Sequence, residues 1–166
     1  MDLDSMDKDG LRNFVDFMLR QLMVTDAFWY LFLEEEYKSR IANHFNERVW
    51  QKVAQISARD IMQRFGIREK GLDGFVKALE YFPWTIIVGY RFDVKPGELI
   101  ISVSECPSQV ARLKRDLGEY DCKEMHRGEF SSFAHEVDPA IVVECLHAPP
   151  DPHPPERFCR WRFTVR

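Results

Sequence analysis

The sequence predicts an α+β fold in which N-terminal helices pack on an antiparallel sheet of about four strands. Three observations support this prediction. Apolar residues recur at helical spacing in the first half of the chain, they alternate with polar residues in later runs, and the two patterns are segregated along the chain. We therefore expect a single domain over residues 1–166, with a helical part at 1–83 and a mixed part at 84–166 that carries all four cysteines.

The helical part contains a series of apolar segments. The first helix has its apolar stripe at Leu11, Phe14, Val15, Met18 and Leu22. Thr25-Asp26 then resembles the cap of a new helix, in which residues 27–33 are apolar on every side. The side chains of such a segment are buried in the hydrophobic core, line a ligand pocket, or pack against a second copy of the chain. A long helix follows from Ile41 to Phe65 and stops at Gly66, and a short helix over residues 72–82 stops at Pro83.

The mixed part begins where the apolar period changes to two. Residues 84–92 are predicted as a strand, Lys95-Pro96-Gly97 as a tight turn and residues 99–103 as the return strand of an antiparallel hairpin. Two helices and two strands follow, and they lie between Ser108 and Gly118, between Cys122 and Asp138, and over residues 140–147 and 159–165. A proline-rich loop at residues 149–155 joins the last two strands.

Composition excludes several classes of function. The net charge is −4 with both signs interleaved, so no basic surface for nucleic acid is predicted. Residues 27–33 form the longest apolar run, which is too short to span a bilayer. The N-terminus is acidic and does not have the charged segment followed by an apolar segment that is typical of a signal peptide. We therefore expect a cytoplasmic protein with no membrane or nucleic-acid partner. In that compartment the cysteines are expected to be buried, reactive or metal-bound rather than paired in disulfides.

Cys122 is the first candidate for chemistry. A helix that begins just after it would favour the thiolate through unpaired backbone N–H groups and the helix dipole. His126 follows one turn later, so the imidazole and the sulfur can face each other as nucleophile and base, or as half of a metal site. The alternative is an inert, partly buried cysteine.

Two further cysteines lie in the last two predicted strands. Cys145 shares a strand face with His147, Cys159 faces the core on strict alternation, and neighbouring strands would place both sulfurs beneath Cys122. His147 is a spare ligand candidate. Glu144 points away from Cys145, so only a β-bulge would bring both to one ion.

Three short motifs carry a resemblance to a known family. Glu105-Cys106-Pro107, Tyr120-Asp121-Cys122 and Cys159-Arg-Trp-Arg-Phe163 resemble the L-2-amino-thiazoline-4-carboxylic acid hydrolase-like proteins, which are prokaryotic and cytosolic. The resemblance covers mainly residues 84–166. It implies attack on a C–N or C=N bond of a small heterocycle or amide. Cys122 would then be the nucleophile or a metal ligand, His126 the base, and Cys106 a second thiol at the pocket rim.

The chain also resembles, more loosely, the vinyl-reductase (four-vinyl) ligand-binding domains, which are related in fold to haem-nitric-oxide sensors. Some members bind zinc through three cysteines and a glutamate, which implies Cys122, Glu144, Cys145 and Cys159 here. If two ligands on this strand are spaced apart as in that family, His147 occupies the position of the second one. The sequence departs from that family because Glu144 and Cys145 are adjacent and residues 149–155 replace a glycine-centred turn.

The sequence thus leaves two main functions open. One is a small-molecule-binding protein with a cysteine-centred site, and with hydrolase activity if it is an enzyme. The other is a non-catalytic ligand-sensing or scaffold domain that holds zinc or iron. A further alternative is a purely structural, dimer-forming protein in which Phe28, Trp29 and Phe32 pack against a partner chain, and dimerisation is compatible with both main functions.

Overall fold

The computed structural model describes residues 3–166 and confirms the α+β prediction. A 3₁₀ turn at Leu3–Ser5 precedes the helices and strands. The helices are α1 (Lys8–Phe65), α2 (Gly71–Glu80), α3 (Pro83–Val88), α4 (Pro107–Leu113) and α5 (Lys123–Val137). The strands are β1 (Arg91–Lys95), β2 (Glu98–Val103), β3 (Ile141–His147) and β4 (Cys159–Val165). No helix in this described range is both long and apolar enough to cross a membrane.

Helix α1 consists of two parts that meet at Lys38. This residue has φ 69° and ψ 162°, which is not a helical conformation, so the helix bends there. We call residues 8–37 the arm and residues 39–65 the body helix. No new helix begins at Thr25-Asp26, because the Asp26 carboxylate accepts a hydrogen bond from the Trp50 indole instead of capping a backbone. The predicted stop at Gly66 is confirmed by its left-handed conformation.

The body helix packs along α5. Its buried side chains form one stripe of small and large residues: Ala42, Trp50, Ala54, Ala58 and Ile61. The alanines allow the two helix axes to approach closely. Gly128 of α5 contributes to the same contact, since a Cβ built there would lie 2.4 Å from the Gln51 side chain.

The four strands form one antiparallel sheet in the order β1-β2-β4-β3. Register pairs Leu99 with Phe163 and Ile101 with Trp161, so these buried side chains share one face. Helices α2 and α5 cover that face, where the rings of Phe75 and Phe130 lie 4.8 and 5.3 Å from the ring of Phe163. The predicted layering of helices on one side of the sheet is therefore confirmed.

The predicted strand over residues 84–92 is wrong in its first half. Residues Pro83–Val88 form α3, with proline in the first turn and Gly89 in the left-handed conformation at the end. Its alternating apolar residues resembled a strand because six residues are too few to show a helical period. Trp84 packs edge-on against Trp50 at 5.1 Å, and the hairpin proper begins only at Arg91.

Candidate functional site

Three of the four sulfur atoms line one small cavity. Cys106 precedes α4, Cys122 precedes α5 and Cys159 begins β4, and all three side chains reach the cavity together with His126. Its volume is about 20 Å³, which is room for about one water molecule. Tyr90 also belongs to this lining, and its hydroxyl is buried without a hydrogen-bond partner among residues 3–166. Three thiols, an imidazole and a tyrosine thus surround this small space.

The other predicted ligands lie elsewhere. Glu144 is exposed and pairs with Arg162 at 3.1 Å, and Cys145, on the edge strand β3, is not part of the cavity lining. A β-bulge between Cys145 and His147 sets His147 opposite Arg160, so His147 does not share the face of Cys145 as strict alternation predicted. Within residues 3–166, no three His, Cys, Asp or Glu side chains are grouped closely enough to hold a metal ion. Of the five residues predicted to bind zinc or iron, Cys122 and Cys159 line the small cavity. The other three, Glu144, Cys145 and His147, do not line it.

Burial keeps the clustered thiols protonated. Loss of hydration raises the pKa of Cys122 well above its ordinary value and that of Cys159 to about 12, and the neighbouring sulfurs act in the same direction. Burial also raises the pKa of Cys106.

The start of α5 was predicted to favour the Cys122 thiolate, but the pKa of this thiol is raised there. Backbone N–H groups at this position are already engaged. The N–H groups of Cys122 and Lys123 donate to the Pro149 carbonyl, and the Lys123 ammonium contacts Asp151 at 2.9 Å.

A histidine–carboxylate pair lies beside Cys122 on α5. His126 Nδ1 is 2.7 Å from Glu129 Oε2, and the Glu129 side chain is almost completely buried, with 2 % residue exposure. Cys122, His126 and Glu129 stand at i, i+4 and i+7, so they share one face of the helix. The sequence prediction included the first two and missed Glu129. The same helical spacing, extended by one step, would have found it.

Gln109 connects α4 to the chain before α5. This buried side chain accepts from the Tyr120 N–H and donates to the Tyr120 carbonyl, both at 2.8 Å, and its amide nitrogen lies 3.5 Å from Cys122 Sγ. The pair of hydrogen bonds fixes the backbone two residues before the thiol. Gln109 thus holds Cys122 in position at the small cavity.

The larger cavity lies between the arm and α4 and is called the chamber below. Its volume is about 280 Å³, close to the roughly 300 Å³ at which ligand pockets begin. Most of its wall is apolar, including Met23, Val24, Ala27, Phe28, Leu31, Pro107, Ala111 and Leu117. Residues 27–33, predicted to be core, pocket wall or a contact surface, do not all have the same environment. Phe28 lines the chamber, Tyr30 is buried, and Trp29 and Phe32 are exposed.

Charged groups of both signs lie on the chamber wall. Arg112 is neutralised by Glu34, to which it donates two hydrogen bonds at 2.6 and 3.2 Å, while Arg115 is exposed beside it. Asp26 lies deeper and accepts from Trp50 Nε1 at 2.9 Å. Burial raises the pKa of Asp26 to about 6, and the nearby Glu129 carboxylate acts in the same direction. Asp26 therefore links the chamber wall to the His126–Glu129 pair.

Fold and cavities together define a small α+β protein with an apolar chamber beside a cluster of protonated thiols. The chain belongs to a family of unknown function, DUF6125, whose model matches residues 4–165. No curated protein matches it.

Solved structures of similar fold include the following one. It is a trafficking protein particle complex subunit 3 from Naegleria fowleri, covalently bound to palmitic acid. The TM-score is 0.56 at 14 % sequence identity, over 91 % of this chain and 96 % of that one. At this identity the likeness shows the fold alone. These comparisons do not confirm the resemblance to the amino-thiazoline-carboxylate hydrolase-like or vinyl-reductase proteins.

Proposed function

We propose that this protein binds an apolar small molecule with an acyl-like chain in the chamber between the arm and α4. The observation that carries the proposal is a preformed cavity of about 280 Å³ whose wall is mainly aliphatic and aromatic. Burial of apolar ligand surface in such a cavity is favourable at roughly 25 cal/mol per Å². The structural neighbour, which carries palmitic acid, supports the idea that this kind of fold can hold an acyl chain.

The charges around the chamber favour a ligand with an acidic head group. Arg115 is exposed near the rim and Arg112 is already paired with Glu34, so Arg115 supplies the cation for a carboxylate at the mouth. Asp26 makes the deeper wall unfavourable for a second anion. The ligand would therefore place its chain inside and its head group outside.

Filling the chamber is expected to weaken ligand binding. In Ala27→Trp the indole would occupy ligand space, so we expect at least about tenfold weaker binding of a fluorescently labelled dodecanoate, measured by fluorescence titration. Thr25→Trp is the matched control, since Thr25 is exposed on the same helix and does not line the chamber. Equal affinity of both variants and the wild-type protein would contradict the proposal.

A second candidate function is thiol-dependent hydrolysis of a C–N or C=N bond, favoured by the alignment of Cys122, His126 and Glu129. At a C–N bond, His126 would take the thiol proton as Cys122 Sγ bonds to the acyl carbon, and would return it to the nitrogen as the C–N bond breaks. At a C=N bond the same proton would pass to the nitrogen as the π bond opens, and no group would leave in that step. Water would then add to the acyl carbon as the C–S bond breaks, and one of its protons would return to the sulfur through His126. Glu129 would orient the imidazole through its 2.7 Å contact. The small cavity must open for this reaction, because it holds only about 20 Å³.

Removal of the Cys122 thiol separates this candidate from simple binding. With 2-amino-thiazoline-4-carboxylate as substrate, Cys122→Ala is expected to lower turnover by at least about 100-fold, as loss of a nucleophile does. Cys145→Ala is the control, because that thiol lies outside the cavity. Undiminished turnover by Cys122→Ala, or none by the wild-type protein, would argue against hydrolysis and leave the binding proposal intact.

A further inference from the structure

The outer part of the arm leaves apolar side chains in water. Among residues 8–22 no side chain is buried, and the first buried residue along the arm is Tyr30. A helix with many apolar residues and no buried face is not stable in water by its own propensity. Burial of these apolar side chains therefore requires a partner other than the rest of the same chain.

The exposed residues form a continuous stripe. Its members, called the apolar stripe, are 37–65 % exposed and are Leu11, Val15, Met18, Leu22, Trp29 and Phe32. With Thr25 they follow one another at alternating steps of four and three residues, which is the spacing of a coiled-coil seam. Met23, Ala27 and Tyr30, which line the chamber, lie on the other side of the helix. The stripe thus faces away from the body of its own chain.

The size of this surface matches a protein interface. Side chains of this kind at about half exposure leave on the order of 100 Å² each in water, so the six reach the upper end of the roughly 300–600 Å² found on monomers. These six side chains therefore supply most of the roughly 800 Å² that each partner buries in a standard interface.

We infer that the apolar stripe binds the same stripe of a second copy of this chain, with the two arms antiparallel. A two-fold axis near Leu22 and Thr25 would set the smaller Val15 and Met18 against the larger Trp29 and Phe32 of the other copy. It would also bring Lys8 and Arg12 to the height of Glu35 and Glu36 of the other copy. A parallel pair would instead oppose identical bulky rings and like charges.

The test is the oligomeric state of the full-length chain by sedimentation velocity at tens of micromolar. The wild-type protein and Asn13→Glu, which changes an exposed arm residue off the stripe, are expected to be dimers. Met18→Glu buries a charge in the seam and is expected to be a monomer that still unfolds cooperatively, with a helical circular dichroism signal reduced by no more than the outer arm contributes. A monomeric wild-type protein, a dimeric Met18→Glu variant, or a monomer that binds phosphatidylcholine vesicles through the arm would overturn the inference.

Direction is tested by oxidative cross-linking with peptide mapping. Mixing the Val15→Cys and Phe32→Cys variants is expected to yield a disulfide between positions 15 and 32. Val15→Cys alone is expected to yield none between two copies of position 15, and that bond would overturn the antiparallel arrangement. Dodecanoate binding does not depend on this contact, since the chamber lies on the other face of the arm, so the inference and the proposed function fail separately.

Discussion

Asp26→Asn is expected to stabilise the protein by roughly 2–3 kcal/mol at pH 7, at 1.36 kcal/mol per pKa unit. Burial raises the pKa of Asp26 from 3.8 to about 6. Well below a pH of 3.8 both the folded and the unfolded chain hold this proton. As the pH rises to about 6 the unfolded chain releases it first, so the stability due to this group falls through that window and stays low above it. Asparagine keeps an oxygen acceptor for Trp50 and carries no charge.

The measurement is the free energy of unfolding in urea at pH 4, 5, 6 and 7. The difference between variant and wild type is expected to be small at pH 4 and to grow to its full size by pH 7. Asp60→Asn is the control, because Asp60 is exposed and forms an ion pair with the exposed Arg64. A difference that is constant with pH would show that the Asp26 carboxyl ionises as in a solvated position.

Gly74→Ala is expected to destabilise the protein by about 3 kcal/mol, because the new methyl group has no space. A Cβ at this position would lie 2.1 Å from the Glu69 carbonyl oxygen and 3.3 Å from Val137 Cγ1. The backbone cannot shift easily. The Gly71 N–H donates to Asp138 at 2.9 Å and Lys70 donates to the Val137 carbonyl at 2.6 Å, so both hold the start of α2 against the end of α5.

Gly128→Ala is the matched control for this substitution. Its Cβ would also lie close to another group, but that group is the exposed, flexible side chain of Gln51. The side chain can rotate away and alanine favours the helix, so we expect a change within about 1 kcal/mol. Thermal unfolding of both variants checks the pair. Similar melting temperatures would mean that the backbone around Gly74 relaxes freely.

The class of the fold could be predicted from the sequence because it depends on local patterns. The apolar period identified the body helix, α5, β2 and the last two strands, and Gly66 marked the end of α1 correctly. The pattern was misleading at α3, because a six-residue helix is too short for its apolar period to differ from that of a strand. It also placed a helix start at Asp26, since a capping residue and a buried carboxylate look the same in sequence.

The sequence by itself determined the types of the main elements, the helix start at Cys122 and the placement of His126 one turn later, because these follow from residues within a few positions of each other. Only the tertiary structure decided which cysteines meet. Strand order put β4 inside the sheet and β3 at its edge, so Cys159 joined Cys106 and Cys122 while Cys145 did not. It also decided that the thiols stay protonated and that a chamber opens beside α4, since burial and cavities arise from contacts between segments far apart in the chain.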